Sequence, residues 1–142
     1  MAYCTQNDLL TLIPQQELAE LTADSGDTPD SQVVAEAIQR AEAEIDSYLG
    51  MRYGLPLTSV PDQVKGLSMD MALYHLYSRR SVIPVVRQQK YTAAVAFLKL
   101  VAAGEAMLEE AGDPASGGDQ VQAGVEFSSA TRIFSRDTQG NW

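Results

Sequence analysis

Residues 30–50 read DSQVVAEAIQRAEAEIDSYLG, and this stretch decides the fold class. Val34, Ile38, Ala41, Ile45 and Tyr48 recur at steps of four and three, which places them on one stripe of an α-helix. Asp30 or Ser31 supplies an oxygen for the free N–H groups of the first turn. Gly50 follows the last turn, where a left-handed cap favours glycine. The spacing predicts a helix over 31–49. Glu42 and Asp46 lie four apart on one face of it. Paired carboxylates do acid–base work only in a pocket that separates their pKa values. No His, Lys or metal-ligand partner accompanies them on this helix, so they read as a solvated or intersubunit face.

Working outward, ADSGDTPDS (23–31) is turn chemistry throughout. Its aspartates at 24, 27 and 30 lack the alternate-residue spacing and the closing Glu of a calcium loop. Thr5-Gln-Asn-Asp8 fits a helix start, and Pro14 opens a second short helix to about Leu21. On the other side, MRYGLPLTSV (51–60) breaks the period. With Met51, Tyr53, Leu55 and Leu57 apolar around Gly54 and Pro56, it reads as a connector pressed onto the core. Pro61 starts a helix to about Arg80, with Val64, Leu67, Met71, Tyr74 and Ser78 on one stripe and Leu73 and Leu76 widening it. A last helix runs from Pro84 to Ala103, with Tyr91, Ala94, Val95, Leu98, Val101 and Ala102 on one face. Gly104 caps it, and GEAMLEEA (104–111) adds a turn. The predicted class is all-α: a small antiparallel bundle of about four to five helices with an extended C-terminal arm. The helical domain is assigned to residues 1–111, and a flexible linker with docking arm to 112–142.

In that arm GDPASGGDQ is linker composition. Beyond it Phe127, Ile133, Phe134 and Trp142 cannot bury one another in a regular helix. VEFSSATRIFSR alternates loosely, but a lone strand has no partner in this chain. Aromatic anchors on a tether are the pattern of a segment that docks elsewhere. The alternative is that the arm folds back onto its own helices.

The 142 residues carry a net charge of −9, with a pI near 4.4, which argues against binding nucleic acid or anionic lipid through bare charge. The charge is uneven: −9 over residues 1–50, +5 over 51–103 and −5 over 104–142. Such asymmetry suits complementary protein surfaces, and equally plain solvated helix faces. A single cysteine, Cys4, rules out an internal disulfide or a thiolate metal cluster, and a single histidine, His75, rules out any site needing two imidazoles. No cofactor or metal is expected. Cys4 lies near a helix start that lowers a thiol pKa, yet no base is in sequence reach. His75 reads as a satisfied or surface histidine. Neither phosphate-binding glycine motif occurs. Arg79-Arg80 fits phosphate or an acidic protein surface, and the net charge favours the protein. No run of 18 apolar residues and no secretory signal pattern occurs, so a soluble, cytosolic-type chain with no membrane partner is expected. No convergent set of nucleophile, base and oxyanion donors is present, so no enzymatic activity is expected.

The block AIQRAEAEIDSYLGMRYGLPL (37–57) resembles the signature of the Mu-like prophage family of small virion neck proteins, related to the head–tail connector (adaptor) proteins of tailed phages. Tyr3-Cys-Thr-Gln-Asn-Asp-Leu9, the helix from Pro61 to Arg79-Arg80, Arg87–Tyr91 with Ala94, Leu98 and Gly104, and the closing Arg132-x-Phe-x-Arg136…Gly140-Asn-Trp142 fit as well. The resemblance implies a virion role without catalysis. A helical adaptor would form a ring, commonly twelve-fold, beneath the portal at the capsid vertex. Its partners would be itself, the portal protein and a tail-proximal neck or tail-completion protein. The location would be the virion neck, with the host cytoplasm before assembly. No specific nucleic acid is implied, though DNA would pass through the ring. On that footing Phe127, Arg132, Phe134, Arg136 and Trp142 are expected to dock on the portal. Glu36, Glu42 and Asp46 are expected to meet Arg79, Arg80 and Arg87 of the next subunit across head-to-tail contacts. Arg52, Tyr53, Leu55, Pro56 and Leu57 are expected to form a structural connector, with Asp46 holding Arg52 or the Tyr53 region. The competing reading is a cytoplasmic helical module that binds or regulates a partner outside any particle.

Overall fold

Every periodic stretch of the sequence becomes a helix because each has an apolar stripe to bury and a start signal. A computed structural model describes residues 2–108 of the chain. The elements are α1 (Gln6–Leu10), α2 (Gln15–Thr22), α3 (Ser31–Leu49), α4 (Asp62–Arg79) and α5 (Val85–Ala103). All are helices, and the chain is all-α over the described residues. Asp30 caps α3 by accepting the N–H groups of Gln32 at 2.9 Å and Val33 at 3.3 Å. Thr5 and Asp8 close a reciprocal capping box on α1. Pro14, Pro61 and Pro84 each stand at the cap position and not at the first helical place expected for them, so each helix begins one residue later, at Gln15, Asp62 and Val85.

α3, α4 and α5 form an antiparallel three-helix core with α4 in the middle, while α1 and α2 lie across α3 and α4. α3 buries Val34, Ala37, Ile38, Ala41, Ile45 and Leu49. Tyr48, expected in that stripe, is only half-buried, and Leu49 takes the inner place at the helix end. α4 buries Val64, Ser68, Met71, Ala72, Leu73, Leu76 and Tyr77. Here the expected stripe is corrected: Leu67 and Tyr74 are half-buried and Ser78 is exposed. A helix gripped from both sides buries a wider arc than one stripe describes. α5 buries only Ala94, Leu98 and Val101, inside the face expected for it.

Two glycine expectations separate. Gly104 is left-handed at φ 81°, and a Cβ there would stand 2.0 Å from Nη1 of Arg52. Gly50 is not left-handed: it keeps φ −59°, ψ −15°. Its lack of a side chain serves close approach instead, since a Cβ would meet the Asp46 carbonyl oxygen at 3.1 Å and Leu55 at 3.4 Å. In the connector only Tyr53 and Leu57 enter the core, each 6% exposed, whereas Met51 is 70% and Leu55 38% exposed. Arg52 and Pro56 also face outward. After α5, the N–H groups of Glu105 and Ala106 donate to the Leu100 carbonyl. Residues 104–108 form a turn and bend, not a further helical turn, and 109–111 lie outside the described residues.

Two residues two places apart provide a contrast. Leu49 is fully buried and Met51 is exposed. Leu49→Ala should cost about 2–5 kcal/mol by urea unfolding, and Met51→Ala should stay within about 0.5 kcal/mol. Gly104→Ala should cost about 1–3 kcal/mol from the left-handed backbone, since the exposed Arg52 guanidinium can swing aside.

Candidate functional site

The most elaborate polar cluster joins the three long helices. Glu44 comes from α3, Tyr74 and His75 from α4, and Tyr91 from α5. Tyr91 donates its hydroxyl to Glu44 Oε1 at 2.6 Å. The rings of Tyr74 and Tyr91 stack at 3.9 Å between centroids with 10° between planes, and His75 meets both edge-on at 5.7 and 5.9 Å. The His75 side chain is 8% exposed, and its Nε2 lies 3.3 Å from Glu44 Oε2. The approach lies outside hydrogen-bond geometry, so Nε2 is buried beside a carboxylate without a directed bond. Burial pushes the imidazole below its ordinary pKa, the nearby Arg40 charge acts the same way, and Glu44 opposes both. Burial, then the Glu44 hydrogen bond and charge, raise the Tyr91 hydroxyl. The cluster holds a buried imidazole against an acid and two phenols, with no nucleophile among them. Its physical effect is to lock α3, α4 and α5 in register.

Short-range sequence reading could not find this cluster, because Glu44 and Tyr91 come from other helices. The only hint was a lone histidine beside a tyrosine. Cys4 also differs from expectation. Its Sγ lies 3.3 Å from Ser68 Oγ in a buried contact, and burial raises the thiol pKa instead of the helix start lowering it.

The charged residues fall into separate places. On α3, Glu36 is about 120° around the helix from Glu42 and about 80° from Asp46, at 100° per residue, so the three do not share one face. Asp46 does not hold Arg52 or Tyr53: its side chain accepts the Tyr3 hydroxyl, tying the N-terminal segment to α3. Tyr53 instead accepts the Leu108 N–H at 3.1 Å, and Arg52 lies against Gly104. Glu36 accepts from Gln32 at 3.3 Å and lines a groove of about 390 Å³ with Arg40, His75 and Arg79. Glu36 and Arg79 thus share one flank of the protomer.

Arg79 and Arg80 have partners inside the chain. Arg79 Nη1 donates to the carbonyls of Leu21 at 3.2 Å and Thr22 at 3.4 Å, and Arg80 Nη2 donates to Ala23 at 2.9 Å. Those carbonyls close the negative end of α2, so the arginine pair caps that helix from α4. Tyr77 donates to Glu17, a second tie from α4 to α2, and burial followed by Glu17 pushes its hydroxyl up to about 12. Arg87 Nη1 is buried without a hydrogen-bond partner among the described residues, and its charge reaches Tyr77 and Asp70. The expected arm residues Phe127, Arg132, Phe134, Arg136 and Trp142 lie outside the described residues.

Among the described residues no group of three or more His, Cys, Asp or Glu is arranged to hold a metal ion. No described helix is long and apolar enough to cross a membrane. Exposed large apolar side chains gather at the two ends of the bundle: Val82, Val85 and Val86 at the α4–α5 turn, and Met51, Leu55 and Met107 at the other end. Patches of this kind mark contact surfaces when they are contiguous.

Comparison with known proteins bears on the same chain. Residues 3–125 match the family described as Bacteriophage Mu, Gp36. A Mu-like prophage FluMu protein gp36 from Haemophilus influenzae is 33% identical over 109 residues, covering 77% of this chain and 74% of that protein. Gene product J of Escherichia phage Mu is 37% identical over 78 residues, covering 54% of this chain and 55% of that protein.

The His75 environment sets a pH dependence. Because the folded state depresses its pKa below the ordinary 6.5, the unfolded chain binds the proton more readily. Stability from His75 is therefore complete above 6.5 and is lost as pH falls below it. Urea midpoints should drop between about pH 7.5 and 5.5, and His75→Gln should flatten that slope. Tyr91→Phe, which strips Glu44 of its hydroxyl donor, should cost about 1 kcal/mol in thermal or urea unfolding.

Proposed function

The chain belongs to the bacteriophage Mu Gp36 family, and from that premise we propose that it is a structural head–tail connector of a Mu-like phage or prophage particle. In this reading, copies assemble as a ring, twelve-fold when complete, at the portal vertex. The ring joins capsid to tail, contacting the portal protein on one side and a tail-proximal neck or tail-completion protein on the other. The protein performs no chemical step and needs no cofactor. It resides in the host cytoplasm until it enters the virion neck.

The observation that carries this reading is family membership over residues 3–125. The physical surface supports it. A closed ring needs heterologous contacts, so each copy must present two different patches. The two ends of the bundle carry different exposed apolar groups, and the charge is split between an acidic first third and a basic middle. Glu36, Glu42 and Asp46 facing Arg79, Arg80 and Arg87 of the next copy remain the proposed charge pairing. Glu36 and Arg79 line one groove on the same protomer, and Arg79 and Arg80 also cap α2. An acidic ring would also let DNA pass without adhering. The arm residues Phe127, Arg132, Phe134, Arg136 and Trp142 supply apolar anchors and cations for the portal.

The test mixes the full chain with its cognate portal protein and inspects the product by negative-stain microscopy and sedimentation. A stable co-complex containing a ring is expected. Truncation after Gly112 should weaken portal binding at least tenfold while circular dichroism keeps its helical signal. Unchanged binding would refute the arm's role, and a persistent monomer or dimer with portal present would favour the regulatory-module reading.

A further inference from the structure

α5 is packed on one side only. Val86, Gln89, Ala93, Ala96, Leu100 and Ala103 alternate at steps of three and four along the opposite side, and every one of them is exposed. This is the a/d spacing of a helix face built to be covered, and none of its members is charged. Met107, in the turn after the helix, is also exposed, at 67%. No described element lies over it: α4 and α3 take the inner side, and α1 and α2 pack on α3 and α4. An uncharged face of this kind, apolar at every named position but Gln89, calls for an occupant.

We propose that the occupant is the C-terminal arm of the same chain, the stretch 121–136 with Val125, Phe127, Ile133 and Phe134, lying on this face before assembly. Three observations select it. First, the chain leaves the described structure at the right place: Leu108 is buried and its N–H is held by Tyr53, next to the exposed end of the stripe. Second, the length suffices. α5 spans about 28 Å at 1.5 Å per residue, while the 34 residues after Leu108 reach up to about 110 Å when extended. Third, the charges of the connecting stretch match: Lys90 and Lys99 flank the stripe, α5 carries no acid, and residues 109–120 carry four acids and no base.

One segment cannot sit on α5 and on a portal at once. The arm therefore leaves α5 when it meets the portal, which uncovers an apolar helix face where a neighbouring copy is being added. This consequence rests on the proposed function; the docking itself does not, and its test contains neither portal nor ring.

The experiment places the photocrosslinker p-benzoylphenylalanine at Ala96 in the full-length chain, using an equal mixture of ¹⁴N- and ¹⁵N-labelled protein at low micromolar concentration. Mass spectrometry should find crosslinks from position 96 to residues 121–136 within isotopically uniform chains. Mixed-isotope crosslinks, crosslinks to other segments, or none would overturn the proposal. A second readout avoids altering α5. The full-length double variant Phe127→Ser, Phe134→Ser should bind the dye ANS severalfold more than the parent, because the face is uncovered. An unchanged or lower signal would overturn it, since removing aromatics from a free arm can only reduce dye binding.

Discussion

The structure depends on α4 being buried from two sides. Met71, Ala72, Leu73 and Leu76 are at most 1% exposed, and they leave water only if α3 and α5 are both in place. Burying a leucine or methionine is worth about 1.5–3 kcal/mol each, so this one helix carries a large part of the gain that offsets chain entropy. The polar ties follow from the same arrangement. Glu44, His75 and Tyr91 meet because three helices converge, and Arg79, Arg80 and Tyr77 reach α2 because the end of α4 passes beneath it.

The N-terminal segment is held by Leu9, Ile13, Leu18 and Leu21, which it buries in the core, and by these ties. α1 and α2 are short, five and eight residues, below the length at which an isolated helix persists in water. Tyr3 on Asp46, Cys4 on Ser68, Lys65 on Asp8 at 3.0 Å and the arginine cap on α2 attach them to α3 and α4. Side chains that look on the sequence like an open acidic and basic surface are thus partly committed inside the chain. A chain built this way keeps a three-helix body and leaves exposed apolar groups at the two ends of the bundle and on the outer side of α5.

Much of the fold is legible residue by residue. The step pattern from Val34 to Ile45, the Asp30 and Thr5 caps, the three prolines and Gly104 predict a bundle of about four to five helices and their order, because these are local signals acting within a few residues. Membership of the family is legible in residues 37–57 as well. The errors fall where a local rule met a tertiary neighbour. Gly50 looked like a left-handed cap and is needed for its proximity to Asp46 and Leu55, and Ser78 continued a stripe that the core does not use.

The sequence by itself determined the helical class, the helix starts and the separation of acidic from basic segments, since periodicity, capping and charge are properties of neighbouring residues. Only the tertiary structure decided which arc of α4 is buried, that His75 stands against Glu44 and Tyr91, that Asp46 belongs to Tyr3, and that α5 keeps an uncharged outer face. Those facts depend on which helices pack together, and no spacing along a single helix contains that information.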